Sequence, residues 1–317
     1  MPNQPFKHHF LPVFYLKQWA GADGCLVQFS KPHGNKVVPN RKHPDGTGYI
    51  NRLYAISGVP DDEAVRFERA FLSPVDSKAA EALVIMRDEH AVGNFTAKQR
   101  WAWVQFLTSL MTRMPADIAM IKENVKGDWL AGTPDLQKKY SELKAEGDPE
   151  QVLDFIKASD DAFFERGAMA ILERIIRQET VARAICSMHW SVLTVERSDF
   201  KLLTSDRPIL YTPHMMGKDS HLVVPISSTE IFLAARERSF SRRIRARSQS
   251  HLARILNGAV IGNATRYVFG SDDRQLPFVQ RHMGTKPVPS LIERLHRLRL
   301  KRMQGIRMRQ LRGGGDG

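Results

Sequence analysis

The chain has 317 residues, of which 42% are hydrophobic and 26% are charged, a composition that excludes a wholly disordered protein and suffices for one or two domains. Its two cysteines, Cys25 and Cys186, form no closely spaced pair, which excludes a disulfide-rich scaffold and a Cys-x-x-Cys motif. No apolar run approaches the ~20 residues of a membrane-spanning helix and no signal peptide is recognisable, so we expect a cytoplasmic protein.

The net charge of +13 is unevenly distributed along the chain. Residues 1–235 contain 28 Lys and Arg against 29 Asp and Glu, whereas residues 236–317 contain 19 against 5. The excess positive charge therefore belongs to the last quarter of the sequence, where it describes a local surface and not the whole protein.

The first half of the chain predicts short strands followed by helices. Up to about residue 60, short apolar runs alternate with turn-forming Pro, Gly and Asn. Acidic residues 61–63 and the Ser73-Pro74 pair then predict two helices up to about residue 90. Apolar residues at helical spacing predict a central core helix over 96–114, which Pro115 ends or kinks. Amphipathic helices are predicted over 116–131, 135–158 and 160–188.

From residue 189 the pattern changes to strands. The segments WSVLTVER, FKLLTS, HLVVPIS and RYVFG are rich in β-branched and apolar residues, and a helix is predicted over 239–256. We therefore predict an α+β fold with a helical middle and a mixed or antiparallel sheet formed by the N-terminal strands and those of 190–270. The main domain is predicted over 1–280, and a basic amphipathic helix or tail over 281–317.

Several segments carry a resemblance to a known family. They are the opening HHFLPVFYLKQWA, with its spacing of His9, Pro12, Tyr15 and Leu16, and residues 113–115, 202–208, 224–227 and 266–270. In this order they resemble a bacterial and phage family named domain of unknown function 4238, over roughly residues 7 to 270. The resemblance implies a stand-alone, soluble α+β protein, and it supplies no catalytic residues.

A metal site is one interpretation of the N-terminal histidines. Four lie in the first fifty residues: His8, His9, His33 and His43. Imidazole and carboxylate are ligands of divalent metals such as zinc, iron or manganese, so His9 with the distant Asp206 is a candidate pair, beside Tyr15. The alternative is that His9 donates a hydrogen bond to a backbone carbonyl while Pro12 and Tyr15 pack the segment.

Other candidates for chemistry follow a predicted strand end. Asp206 could act as a base or a ligand, Ser205 could bind a phosphate, and Arg207 or Arg113 could pair with an anion. Each has a structural alternative: Asp206 could accept backbone N–H groups, and Arg113 suits the negative end of a helix dipole. Glu68 is by default a solvated or arginine-paired carboxylate.

Basic residues with few acidic partners predict polyanion binding. The candidates are Arg242, Arg243, Arg245, Arg247, Arg299, Lys301 and Arg302. Nucleic acid is favoured as the partner, ahead of an anionic membrane surface, and a solubilising tail without a specific partner is the other alternative. No helix-turn-helix, zinc-finger or RNA-recognition motif is present, so sequence-specific binding is not predicted.

Two functional hypotheses follow from the sequence. The first is a protein that binds nucleic acid or another polyanion through its arginine-rich last quarter. The alternative is a metal-assisted phosphodiester hydrolase whose site contains His9, Arg113 and Asp206, with Tyr15 and Ser205 close by.

Overall fold

A computed structural model describes residues 7–88, 95–130, 134–212 and 217–301 of the chain. The strands are β1 (Lys7–His9), β2 (Leu26–His33), β3 (Lys36–Lys42), β4 (Tyr49–Asn51), β5 (His189–Thr194), β6 (Thr204–Ser205), β7 (Leu210–Tyr211), β8 (His221–Pro225), β9 (Glu230–Ala235) and β10 (Val268–Gly270). The α-helices are α1 (Val13–Leu16), α2 (Asp61–Ala64), α3 (Ser73–Arg87), α4 (Ala97–Leu110), α5 (Pro115–Leu130), α6 (Pro134–Leu143), α7 (Val152–Ala158), α8 (Asp161–Ile176), α9 (Glu179–Cys186), α10 (Arg238–Arg245), α11 (Gln249–Gly262) and α12 (Leu276–His282). Residues 291–301 are also helical.

The strands form a two-stranded ribbon and two four-stranded sheets, and their pairings are antiparallel. The ribbon joins β1 to β4. The first sheet has the order β3-β2-β10-β6, so β10 connects an N-terminal hairpin to strands from late in the chain. The second sheet has the order β5-β9-β8-β7. The predicted α+β class is confirmed.

Helix α4 lies in the main core, as its apolar pattern predicts. Thr96 caps it: the Thr96 hydroxyl accepts the N–H of Gln99 at 3.2 Å, and Gln99 Oε1 accepts the N–H of Thr96 at 2.8 Å. Trp103 and Phe106 are fully buried among other aromatic rings. Pro115 begins α5, where its missing N–H is tolerated, so one helix ends and another starts near this position.

Buried side chains attach the N-terminal segment to the later part of the chain. The indole N–H of Trp19 donates to the carbonyl oxygen of Leu202 at 2.8 Å.

Gly48 lies in a turn that packs against Leu11. The carbonyl oxygen of Gly48 accepts the N–H of Leu11 at 3.1 Å, and Gly48 has a φ of 67°. A Cβ at Gly48 would lie 3.1 Å from the Leu11 carbonyl oxygen, so glycine suits this turn for both its φ and its size.

Parts of the predicted pattern over 200–262 are wrong. The single helix predicted over 239–256 is two helices, because the Ser248 hydroxyl accepts the N–H of His251 at 3.3 Å and caps a new helix, α11. The predicted FKLLTS strand contributes only β6. Strand β9, which is absent from the predicted strands, pairs with both β5 and β8.

Contacts cross the predicted boundary at residue 280. The N–H groups of Gly284 and Lys286 donate to carbonyl oxygens at the end of α11, at 3.0 and 2.8 Å, and Ile292 is buried. Residues 284–292 therefore pack on the main body, and a separate C-terminal segment stays a prediction. No helix in the described ranges is both long and apolar enough to cross a membrane.

Candidate functional site

Tyr15 connects the N-terminal segment to both sheets. Its side chain is fully buried, and its hydroxyl lies 2.7 Å from Oγ1 of Thr204 and donates to the carbonyl oxygen of Pro225 at 2.9 Å. Burial raises the pKa of Tyr15 well above its ordinary value, so the hydroxyl stays protonated at physiological pH. In this position Tyr15 links α1 to β6 and β8.

Ser205 and Asp206, at the end of β6, are also fully buried. Ser205 Oγ donates to the carbonyl oxygen of Val260 in α11 at 3.1 Å. The Asp206 carboxylate accepts the backbone N–H groups of residues 265–267 at 2.9, 2.6 and 3.1 Å and the Thr265 hydroxyl at 2.8 Å. Burial raises the pKa of Asp206, and these hydrogen bonds oppose the rise. Both carboxylate oxygens hold the turn before β10.

Arg113 lies in a buried cluster of charged groups. Its side chain is 0% exposed and donates three hydrogen bonds of 3.1 Å to the carboxylate of Asp76 in α3, whose side chain is 18% exposed. Burial opposes the charged form of Arg113, but Asp76, Tyr54 and Glu68 together outweigh it, and the pKa of Arg113 is raised. The Nε atom of Arg113 has no hydrogen-bond partner among the described residues.

Glu68 belongs to the same cluster, and its pKa is near neutrality. It begins a short π-helix, Glu68–Leu72, a conformation that often marks functional positions. Burial raises the pKa of Glu68 to about 7, although the charge of Arg113 opposes this. Its Oε2 is buried without a hydrogen-bond partner among the described residues. Glu68 can therefore release or accept a proton at physiological pH.

His8 and His9 lie in β1 in different surroundings. His8 Nδ1 accepts the backbone N–H of Tyr54 at 3.0 Å, and the two rings stack with centroids 5.5 Å apart. Burial, followed by the charge of Arg52, lowers the pKa of His8 to about 4. Burial is also the main cause of the lowered pKa of His9, and Arg113 contributes to it. The Nε2 atom of each ring is buried without a partner among the described residues.

The predicted catalytic residues fall into two groups. His9 lies within electrostatic reach of Arg113, whereas Tyr15, Ser205 and Asp206 gather around β6. Among the described residues no hydrogen bond between these side chains joins the two groups. The described residues also contain no cluster of three or more His, Cys, Asp or Glu side chains that could hold a metal ion. A divalent metal on His9 and Asp206 stays a prediction.

No role is predicted for Asp76 from the sequence, and Glu68 is predicted to be an ordinary solvated or arginine-paired carboxylate. A signal for Asp76 was available in the sequence. It lies three and seven residues before Ala79 and Leu83, which are buried, so the helical period places a carboxylate on the apolar face of α3. A carboxylate on such a face requires a cationic partner, and Arg113 provides it.

A family model described as a protein of unknown function, DUF4238, matches residues 7–274. The chain belongs to the DUF4238 family. The match covers both groups of predicted catalytic residues and confirms the resemblance proposed from the sequence. No curated protein and no solved structure matches the chain.

The predicted polyanion-binding residues lie partly within the DUF4238 match. Arg242, Arg245 and Arg247 are exposed on α10 and the turn after it, and α10 has no buried side chain. Arg243 is exposed as well, and its guanidinium lies 3.4 Å from the carboxylate of Asp219. These arginines therefore present their charge to solvent.

The other predicted members follow the DUF4238 match. Arg299 forms an ion pair with Asp128 of α5. Lys301 is exposed at the end of the described helical segment. Arg302 lies outside the described residues. The pairing of Arg299 makes it a weaker candidate for polyanion binding than the arginines around α10.

A further basic surface, the α11–α12 groove, lies between these two helices. It is lined by His251, Arg254, Ile255, Gly258, Ala259, Phe278, Arg281, His282 and Lys286. The Phe278 and His282 rings have centroids 4.3 Å apart. No acidic side chain lines the groove, and Arg254, Arg281 and Lys286 form no ion pair with another described residue.

Proposed function

We propose that the protein binds nucleic acid through the α11–α12 groove and the exposed arginines around α10. The observation that carries this proposal is the combination of Arg254, Arg281 and Lys286, which have no acidic partner among the described residues, with an aromatic ring in one groove. Basic side chains without an acidic partner bind phosphates favourably, because their binding releases the salt ions condensed on the nucleic acid. The uneven distribution of charge along the sequence supports the same proposal.

The groove offers the two kinds of contact that single-stranded nucleic acid uses. Arg254 and Arg281 can donate paired hydrogen bonds to phosphate oxygens. The Phe278 ring and the exposed Ile255 provide apolar surface against which a base can pack. Backbone contacts of this kind do not distinguish base sequence. We therefore expect single strands to bind at least as tightly as duplexes, with little sequence preference, which is compatible with the cytoplasmic location expected from the sequence.

The test is the affinity of the full-length protein for labelled single-stranded and double-stranded DNA and RNA, measured by fluorescence anisotropy over a range of salt concentrations. The variant Arg254→Gln/Arg281→Gln/Lys286→Gln removes three positive charges from the groove. Each lost phosphate contact reduces the slope of log K against log salt by about 1, so we expect a reduction of about 2 to 3. The matched control Lys98→Gln/Lys138→Gln/Lys139→Gln removes three exposed charges elsewhere.

Equal slopes for the groove variant and the control would contradict the proposed position of the interface. A second comparison separates charge from packing: Ile255→Glu places a carboxylate on a side chain that is 59% exposed, and Ile255→Gln is its uncharged counterpart. We expect Ile255→Gln to weaken binding modestly through the lost apolar surface and Ile255→Glu to weaken it further through its charge. Binding to vesicles of anionic phospholipid without binding to nucleic acid would replace nucleic acid by a membrane surface.

A metal-assisted phosphodiester hydrolase is the second candidate. The observation that favours it is the placement of His9, with a buried unpartnered Nε2, within electrostatic reach of Arg113, to which Glu68 is also coupled. A histidine with a lowered pKa is neutral at pH 7 and can accept a proton. The test is a gel assay for cleavage of the same oligonucleotides with Mg²⁺, Mn²⁺ or Zn²⁺. Cleavage that His9→Gln abolishes, with the fold intact, would support this candidate.

A further inference from the structure

A cavity of about 150 Å³, distinct from the α11–α12 groove, lies between the start of α5, the segment leading into β7 and the C-terminal segment. Its apolar wall includes Leu110, Met111, Met114, Ile209 and Leu291. Of the candidates for chemistry, Arg207 lines it, whereas His9, Tyr15, Arg113, Ser205 and Asp206 do not. It is a separate feature of the fold, enclosed partly by residues beyond the DUF4238 match.

Polar side chains in this cavity have buried atoms with no hydrogen-bond partner among the described residues. Asp117 is 1% exposed; its Oδ1 accepts the hydroxyl of Ser290 at 2.5 Å, but its Oδ2 has no such partner. The hydroxyl of Tyr211 and the Nε of Arg207 are buried and unpartnered in the same way. Unsatisfied buried polar atoms are unfavourable, and several lining one cavity indicate a site for a bound molecule.

The charges around the cavity favour an anion. Arg207 donates one guanidinium N–H to the carbonyl oxygen of Val288 at 3.0 Å, and the guanidinium of Arg294 lies 5.2 Å from the centroid of the Tyr211 ring. Asp117 is the acidic residue lining the cavity, and burial raises its pKa to about 6. Two guanidinium groups and one carboxylate thus line the cavity, which leaves an excess of positive charge at its wall; Glu293, within electrostatic reach of Asp117, does not line it.

We propose that this cavity binds a small molecule with one anionic group, a carboxylate or a phosphate monoester, on a compact apolar body. A cavity of about 150 Å³ accommodates a molecule the size of benzene. Arg207 and Arg294 bind the anionic group, Asp117 and Tyr211 hydrogen-bond to a second polar group, and the aliphatic wall encloses the remainder. This site does not depend on the polyanion-binding groove.

The experiment uses the full chain with methionine methyl groups labelled with ¹³C. Benzoate, phenyl phosphate and the neutral benzyl alcohol are added in turn at about 10 mM, which would saturate a site with millimolar affinity. The ring current of a bound aromatic probe shifts nearby methyl resonances, so we expect shifts of Met111 and Met114 with at least one anion. Met169, which does not line the cavity, should not move. Benzoate and phenyl phosphate distinguish a carboxylate site from a phosphate site.

Tyr211→Phe is the most informative variant, because the hydroxyl it removes has no partner among the described residues and the ring is retained. Affinity for a probe with an additional hydroxyl group, 4-hydroxybenzoate, should fall about fivefold, the effect of one hydrogen bond, while the unfolding midpoint of the free protein does not fall. Arg207→Gln should reduce the preference for anions over benzyl alcohol, because only Arg294 then remains to bind the anionic group, and Tyr49→Phe, away from the cavity, should change neither property.

Three results would overturn the proposal: no shift of Met111 or Met114 with either anion, shifts confined to other methionines, or equal affinity for benzyl alcohol and the anions. Met114→Leu assigns one of the two resonances while keeping the wall apolar.

Discussion

The hydroxyl of Tyr15 lies 2.7 Å from Oγ1 of Thr204, 189 residues further along the chain. Tyr15 belongs to the opening His-x-x-Pro-x-x-Tyr-Leu segment, and Thr204 to the LLTSDRP segment. Two of the motifs that carry the family resemblance are thus in contact inside the protein. Their association needs no ligand, because each hydroxyl provides the other with a hydrogen-bond partner in a buried position.

Tyr15→Phe should lower the free energy of unfolding by about 1 to 3 kcal/mol, because it removes a donor to the Pro225 carbonyl oxygen and leaves Thr204 without its partner. Urea unfolding measures the change. Tyr49→Phe is the control, since the Tyr49 hydroxyl forms no hydrogen bond with another described residue, and should alter stability by less than about 0.5 kcal/mol. Equal stability of the two variants would show that the Tyr15 hydroxyl does not stabilise the fold.

Arg113→Met should destabilise the protein by about 3 to 5 kcal/mol, because it leaves the carboxylate of Asp76 without its cation. Asp76→Leu alone should cost a comparable amount by leaving the fully buried Arg113 unpaired. The double variant should recover much of either loss, since it removes both charges together. A double-mutant cycle by urea unfolding tests this, and simple additivity of the two losses would contradict a coupled pair.

Glu68 should make the protein less stable as pH rises through neutrality. Its pKa in the folded protein is about 7, above the ordinary 4.5, so the folded state binds more protons than the unfolded state between these values. The contribution of Glu68 to the free energy of unfolding is therefore complete below about pH 4.5. As pH rises to about 7, this contribution falls by up to roughly 3 kcal/mol.

Glu68→Gln should remove this part of the pH dependence and stabilise the protein above pH 7. Asp117, with a pKa of about 6, gives a slope of the same sign, so the informative quantity is the difference between the natural protein and Glu68→Gln at each pH. A difference that does not change between pH 4.5 and 8 would contradict the raised pKa of Glu68.

His8 should make the protein less stable as pH falls, which is opposite in sign to the effect of Glu68. Its pKa is lowered from 6.5 to about 4, so the unfolded state binds more protons over this range, and stability is lost as pH falls through it. His8→Asn retains an acceptor near the Nδ1 position for the Tyr54 N–H and cannot become charged. We expect thermal unfolding midpoints of this variant to decline less steeply from pH 6.5 to 4, whereas those of His33→Asn, at an exposed position, should decline like those of the natural protein.

Asp206→Asn should destabilise the protein by roughly 2 to 4 kcal/mol, because the amide NH₂ group would face N–H donors that now bind a carboxylate oxygen. Asp62→Asn, at an exposed position, is the matched control. An Asp206→Asn protein of normal stability that lacks a metal-dependent cleavage activity of the natural protein would instead assign Asp206 a catalytic role.

The local features of this protein could be predicted from its sequence. The helical period and the capping residues Thr96 and Gln99 define α4, and Pro115 separates it from α5, because these signals act within a few residues. The excess of positive charge after residue 235 is likewise a property of the sequence. The order of the family motifs indicated the family, which the match over residues 7–274 confirms.

The partners of the functional side chains were decided by the tertiary structure. The sequence does not specify that the partner of Asp76 is Arg113, that the turn held by Asp206 is residues 265–267, or that Asp117, Arg207 and Tyr211 line one cavity. Such contacts join residues that are distant along the chain, and they form only when sheets and helices pack. Burial then sets the pKa values of Glu68 and His8, because the cost of removing a charge from water depends on surroundings that a linear sequence does not specify.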